Sequence, residues 1–385
     1  MKHIKYLLFL LCAISASVMA QTPALDALRA KAGQGDADAQ AKLGRLYAKF
    51  DANPDIKLDY AQALSLLQKS ADQGNAVGQC ALGVIYEDGY GIVGKDSAAA
   101  LKWYKLSAAQ GYARAMRNIG LLYKNGADGL PQDKAEARRW FQKAISILGP
   151  QAEANDPDAQ FLLGGMYNFG NGTNQDYAEA MKWYRKAAKQ GNAGSQTNIG
   201  FLYANGRGVT QDYAEAMKWY RKAAEQGNAY AQNNIGVLYE NGRGVNQDYV
   251  EAMKWYRKAA EQGDEYAQLN IGALYAKGQG VTQDYAEAMK WYRKAAEQGD
   301  KVAQANMGIG YEYGGGVIRD FAEAAKWYQK AAESGDDRAQ YHLGMMYVYG
   351  KGVKQDNYEA RKWLGKSAAQ GNKQAQDILK SISTQ

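Results

Sequence analysis

Cysteine and histidine are almost missing from this chain: Cys12, Cys80, His3 and His342 are all it has in 385 residues. A His-rich metal site is therefore excluded, and any His-based catalytic triad past the amino terminus would have to use His342. No Ser-x-x-Lys sequence occurs, which removes the obvious nucleophile of penicillin-recognising enzymes. Glycine-rich loops are present, but they lack the Gly-Lys-Ser/Thr ending of a phosphate loop, so Gly206, Gly208, Gly242 and Gly244 read as turn residues. No catalytic, metal or cofactor site is expected.

Long apolar runs are confined to the start. Lys2 and Lys5 precede the apolar stretch Tyr6 to Ile14, and Val18 and Ala20 are placed for cleavage before Gln21. Residues 1–20 therefore read as a secretory signal peptide and are set aside from the fold. A membrane anchor needs about 20 apolar residues, and Ser15 and Ser17 interrupt this one too early. Cys12 follows two leucines rather than a small residue, so it does not read as a lipidation site, and no later stretch reads as a membrane span. The expected destination is the periplasm, or secretion beyond it. Losing the leader leaves Cys80 as the sole thiol, so packing rather than an intrachain disulfide must stabilise the chain.

Clustered charge of one sign is also missing. The formal charge of +7 falls to +5 when Lys2 and Lys5 are removed, and acids and bases alternate within each segment. Arg243, Lys254, Arg257 and Lys258 face Glu240, Asp248, Glu251 and Glu261 inside one such segment. That mixing argues against a nucleic-acid partner.

What the chain does have is repetition. QDYAEAMKWYRKAAEQG at Gln211 to Gly227 returns unchanged at Gln283 to Gly299, and Trp183, Trp219, Trp255, Trp291, Trp327 and Trp363 recur every 36 residues. A period of that size signals stacked supersecondary units. In the unit from Asn228, the residues Ala231, Ile235, Leu238 and Tyr239 have helical spacing and stop at Gly242; Asp248 opens a second helix ending at Gly263. Asp248 and Glu251 have capping-box spacing, as do Asp212/Glu215 and Asp284/Glu287. Nine helix pairs are expected, with the Trp and Tyr columns as interlocking core.

The expected divisions are a leader over 1–20, a lead-in over 21–35, three irregular repeats over 36–149, an insertion or hinge over 150–157, six regular repeats over 158–371, and a capping helix with its tail over 372–385. The hinge is expected because Trp140 to Trp183 spans 43 residues and the excess falls in LGPQAEANDP, bracketed by Pro150 and Pro157.

The recurrence Ala-Gln-x-x-Ile/Leu-Gly-x-x-Tyr, Gly-x-Gly-Val, Asp-x-x-x-Ala-x-x-Trp-Tyr-x-Lys-Ala-Ala resembles the Sel-one-like repeat (SLR) family, a relative of tetratricopeptide repeats. The resemblance covers essentially the whole mature chain. It implies an all-α, right-handed solenoid of antiparallel helix pairs that acts as an adaptor or scaffold for other proteins, exported members often serving envelope assembly, signalling or host contact. Some cysteine-rich members are linked to penicillin binding, but this chain lacks their paired cysteines.

Comparison among the repeats separates frame from candidate site. Three first-helix columns vary: five and two residues before the motif Ile/Leu, and the residue after its Gly. By analogy with tetratricopeptide arrays they line a concave groove. Tyr230, Asn233, Tyr266, Leu269, Arg338 and Tyr341 are expected to meet a partner there, whereas Val237, Ala273 and Ile309 serve equally well as packing. The slot of His342 is filled by Asn in five other repeats, which favours a structural role for it. The expected function is an exported, monomeric, non-enzymatic adaptor for a protein or peptide segment. A cell-wall or polysaccharide binder using exposed Tyr residues is the alternative, and a penicillin-recognising hydrolase a weaker one.

Overall fold

The computed structural model describes residues 24–51, 56–89 and 93–382; the leader lies outside them. Contacts divide the chain into two compact units, one ending at Gln211 and one beginning at Asp212.

The first unit begins with helix α1 over 24–33. It continues with α2 (Ala37–Tyr47), α3 (Tyr60–Asp72), α4 (Ala76–Asp88), α5 (Ser97–Ala109), α6 (Ala113–Asn125), α7 (Lys134–Glu153), α8 (Pro157–Phe169), α9 (Tyr177–Lys189) and α10 (Ala193–Asn205). The second holds α11 (Tyr213–Glu225), α12 (Ala229–Asn241), α13 (Tyr249–Ala260), α14 (Glu265–Lys277), α15 (Tyr285–Glu297), α16 (Lys301–Tyr313), α17 (Phe321–Glu333), α18 (Asp337–Tyr349), α19 (Asn357–Ala369) and α20 (Lys373–Ile382). Within each unit every helix from α2 on packs on the next in sequence. The fold is an all-α solenoid of nine helix pairs, and no strand occurs among the described residues.

The repeat from Asn228 shows why the sequence folds this way. The Asn228 side chain accepts the Ala231 amide at 2.9 Å and starts α12. Gly242 ends that helix at φ 63°, a left-handed conformation that costs a residue with a Cβ. Asp248 then accepts the Glu251 amide at 2.9 Å and starts α13.

The expected capping box is only half formed. Glu251 does not reach back to Asp248; its carboxylate takes Lys254 Nζ at 2.8 Å and Trp255 Nε1 at 3.1 Å. The Asp248 amide donates instead to the Tyr239 carbonyl at 3.0 Å, which pins the start of the second helix to the end of the first. The same bond recurs at Asp284 to Tyr275 and Asp320 to Tyr311.

Of each Trp-Tyr pair it is the tyrosine that lies deepest. Tyr104, Tyr184, Tyr256 and Tyr328 are fully buried, whereas Trp255 and Trp291 are half-buried under lysines, with Lys258 Nζ 4.3 Å and Lys294 Nζ 4.0 Å from the ring centroids. A glutamine ladder links successive repeats: Gln262 Nε2 donates to Gln232 Oε1, and Gln298 Nε2 to Gln268 Oε1, each at 2.8 Å. Gln232 and Gln268 are themselves buried, so these bonds satisfy amides that would otherwise be costly to enclose.

The 150–157 segment departs from the hinge reading, while the extra residues stand as an insertion that lengthens α7. It is not a polar break, because α7 runs unbroken to Glu153 with Pro150 inside it. Leu148 and Ala152, four residues apart and each 1% exposed, share the buried face that continues from Phe141 and Ala144. Only Ala154 to Asp156 separate α7 from α8, and Asn155 turns the chain at φ 72°.

Candidate partner-binding surface

The variable columns sit on the first helix of each repeat, beside the glycine (Gly236, Gly272, Gly308) against which a buried tyrosine of the second helix packs. In the second unit these first helices are α12, α14, α16 and α18. Tyr230 on α12 and Tyr266 on α14 stand 36 positions apart in the same column, exposed by 58% and 48%. Arg338 on α18 is also exposed, and its guanidinium lies 3.6 Å from the Asp336 carboxylate of its own helix cap.

The other three expected residues are less available. Asn233 is buried, and its Oδ1 accepts from Asn270 Nδ2 at 3.0 Å, so it joins α12 to α14 rather than waiting for a ligand backbone. Leu269 is half-buried against the apolar cluster of α15 and α16. Tyr341 is half-buried with its ring edge-on to His342, centroids 5.5 Å apart. Val237 and Ile309 likewise pack on core clusters.

His342 belongs to a polar cluster behind this surface. Its ring stacks on Tyr328 at 5.0 Å, and its Nδ1 lies 3.1 Å from Glu312 Oε2, which also accepts the Tyr328 hydroxyl at 2.7 Å. Burial pushes the Glu312 carboxyl up, but the bonds from His342 and Tyr328 outweigh it and hold the group below its ordinary value. The groups recorded beside the imidazole are the Glu312 carboxylate and the Tyr328 and Tyr341 rings, with no Ser or Cys among them. Cys80 is no substitute: it is 1% exposed, and burial pushes its thiol up to about 12. Among the described residues no group of three or more His, Cys, Asp or Glu side chains is placed to hold a metal ion, and no helix is long and apolar enough to cross a membrane.

Two features of the surface come from departures within single repeats. Gly310 stands where Leu238, Leu274 and Met346 stand in neighbouring repeats, and a cleft of about 380 Å³ opens there among Met289, Tyr292, Ile309 and Tyr313. In the irregular repeats, the same three columns hold Arg114 and Arg117 on α6. Reading those columns across the whole chain picks both out.

The geometry defines an α-solenoid whose frame recurs from repeat to repeat, most closely in the second unit, and whose first helices carry many of the differences. The Sel1 repeat model matches at residues 37–75, 76–112, 113–146, 157–192, 193–228, 229–264, 265–300, 301–336 and 337–372. The chain belongs to the Sel1 repeat family, whose members serve in general as protein-interaction scaffolds and are typically non-catalytic. It is 35% identical to a Sel1 repeat protein from Oxalobacter formigenes, with 83% of this chain and 90% of that one covered and a TM-score of 0.56. It is also 35% identical to c5321, a protective antigen of uropathogenic Escherichia coli with an SLR fold, with 93% and 82% covered and a TM-score of 0.37. No curated protein matches the chain.

Proposed function

We propose that the chain is an exported adaptor that holds a segment of a protein partner along the first-helix face of its regular repeats. The observation that carries this reading is the pair Tyr230 and Tyr266. Both are large aromatics left exposed in one first-helix column, whereas Tyr220, Tyr256, Tyr292 and Tyr328, which follow the Trp column on the second helices, are buried. Exposed aromatics at regular spacing are the usual anchors of a protein interface, where a few residues supply most of the binding energy. Arg338, farther along the same face, would meet an acidic group once it leaves Asp336.

Export rests on residues 1–20, and amino-terminal sequencing of the protein from a two-membrane bacterium should begin at Gln21. Binding is tested by placing a photo-crosslinking residue at Tyr266 in the living cell. The expected result is capture of one defined protein, with no capture from the outward Lys254, whose side chain is 64% exposed on α13. Capture of peptidoglycan alone would transfer the reading to cell-wall binding.

A further inference from the structure

Among the described residues, two arginines of the third repeat make no ion pair. Arg114 and Arg117 stand three residues apart on α6, so they share one face and repel each other. Both side chains are half-buried. Arg114 Nε is enclosed without a hydrogen-bond partner, and Arg117 Nη1 donates to the neutral Asn118 Oδ1 at 3.2 Å. Asn118 in turn points its Nδ2 at Cys80 Sγ, 3.9 Å away. Glu87, the acid of α4 whose field reaches Arg117, accepts the Tyr104 hydroxyl at 2.5 Å and pairs with neither arginine. Arg45 on α2 is already neutralised by Asp51, with bonds of 2.7 and 2.6 Å. Burial first, and then the charge of Arg114, hold the Arg117 guanidinium below its ordinary value, as befits an uncompensated cation.

The regular repeats treat their cations differently. Lys218, Lys254, Lys290 and Lys326 each pair with a Glu three residues earlier. Arg185, Arg221, Arg257 and Arg293 each donate to a tyrosine hydroxyl of the adjoining first helix, at 2.7, 2.9, 2.8 and 2.6 Å.

The start of α6 is exceptional as well. The first helices α2, α4, α8, α10, α12, α14, α16 and α18 begin on an Asp or Asn that accepts an amide of the first turn. α6 begins on Tyr112 with no side-chain cap bond. Its partial positive charge is left unmet, and Arg114 adds to it in the first turn. An unmet cap, a cation at the wrong helix end and a pair of like charges converge on one face of one repeat. Local rules broken together in this way mark a site rather than a frame.

We propose that Arg114 and Arg117 form a carboxylate-binding site on the first-helix face of the third repeat, receiving an Asp or Glu side chain from a partner protein. Two guanidinium forks present paired donors that match a planar carboxylate. Tyr112, half-buried against the apolar core and within the field of Arg114, limits the access of water and so strengthens the attraction. A polyphosphate chain is disfavoured, because the repeats offer no continuing basic track along which it could lie. This inference rests on the protein-scaffold reading but uses residues separate from Tyr230 and Tyr266.

The test is fluorescence anisotropy of the full mature chain with a fluorescein-labelled Glu/Leu peptide, its Gln/Leu counterpart, and inorganic phosphate as competitor. The Glu peptide should bind and weaken as salt rises, and the Gln peptide should not bind. Arg114→Gln and Arg117→Gln should each lower affinity at least about tenfold, and Arg117→Lys, which keeps the charge but loses the fork, should lower it less. Arg243→Gln and the Tyr230→Ala/Tyr266→Ala pair should bind as the parent does. Thermal unfolding of Arg117→Gln at or above the parent midpoint would exclude a structural cause for its loss of binding. If that variant unfolds, Arg117→Lys carries the test. The proposal is overturned if the parent fails to bind the Glu peptide, if the arginine variants bind it equally, or if phosphate displaces it at concentrations where added acetate does not. None of these outcomes touches crosslinking from Tyr266, which decides the scaffold reading by itself.

Discussion

The ring of Tyr256 fills the space that a side chain on Gly236 would need: a Cβ there would stand 2.5 Å from Tyr256 Cε1. The same exclusion holds for Gly272 with Tyr292 and Gly308 with Tyr328. Glycine is required at these helical positions by close approach alone, against its poor helix propensity. The contact brings the two helices of a repeat together and leaves Tyr230 and Tyr266 on the exposed part of the first helix, while Asn233 in the next variable column stays buried.

Tyr256→Ala should therefore destabilise the chain by about 3–5 kcal/mol, as large buried aromatics do. Trp255→Ala should cost less, about 1–3 kcal/mol, because that ring is half-exposed beneath Lys258. Denaturant unfolding of both variants gives the order. Hydrogen exchange should show loosening centred on α12 to α14, because repeat arrays transmit damage mainly to nearest neighbours; uniform loosening of the second unit would contradict the modular reading.

The repeat frame was legible because the same residues solve the same problem many times. An Asp or Asn before nearly every helix and a Gly after nearly every first helix mark the boundaries, α6 with Tyr112 and α2 with Ala48 being the exceptions. The relative depth of Trp255 and Tyr256 was not legible, since adjacent apolar columns both suit a core and only the Gly236 contact ranks them. Asn233 looked like a ligand residue by variability alone; its bond to Asn270 depends on how α12 meets α14, which no single repeat records. The 148–153 segment misled because Pro150 and the polar residues around it concealed the four-residue spacing of Leu148 and Ala152. Arg114 and Arg117 were visible as residues, but their lack of an ion pair among the described residues is a property of three dimensions.

Asp264 offers a pH-dependent test. It caps α14 and accepts the Ala267 amide at 2.8 Å, yet it is 6% exposed, and burial pushes its carboxyl up to about 7. A carboxyl whose folded value is raised opposes folding once ionised, so this residue costs stability increasingly as pH rises from about 4 to about 7, and the full cost persists above that. Asn occupies the equivalent cap at Asn228 without a charge. Asp264→Asn should thus stabilise the protein by about 1–2 kcal/mol at pH 8. The gain should shrink at pH 5, where the native carboxyl is protonated. Equal gains at both pH values would assign the effect to hydrogen bonding instead.

The α7–α8 connection should resist proteolysis where Leu148 and Ala152 are buried, so no first cut is expected between them. Asn155 carries the turn at φ 72°, where Gly191 and Gly263 serve the regular repeats. Asn155→Gly should be tolerated within about 0.5 kcal/mol, and Asn155→Val should cost about 1–2 kcal/mol, since a β-branched residue disfavours this conformation. Thermal unfolding of the two variants distinguishes a backbone requirement from the loss of the bond that Asn155 accepts from Gln160 at 3.2 Å.

The partner-binding proposal makes its sharpest claim at Tyr230 and Tyr266. Both rings are about half-exposed, and neither belongs to the fully buried set that holds the repeats together. The Tyr230→Ala/Tyr266→Ala variant should keep its helical circular dichroism and unfold within about 1 kcal/mol of the parent. Partner capture should fall sharply, since aromatic anchors are worth about 2 kcal/mol or more each when truncated. Asn233→Ala should do the opposite: it removes the acceptor for Asn270, so it should lower stability by about 1 kcal/mol while leaving capture intact. If the tyrosine variant captures its partner as well as the parent does, the partner does not use this column, and the first-helix face loses its assignment in the second unit.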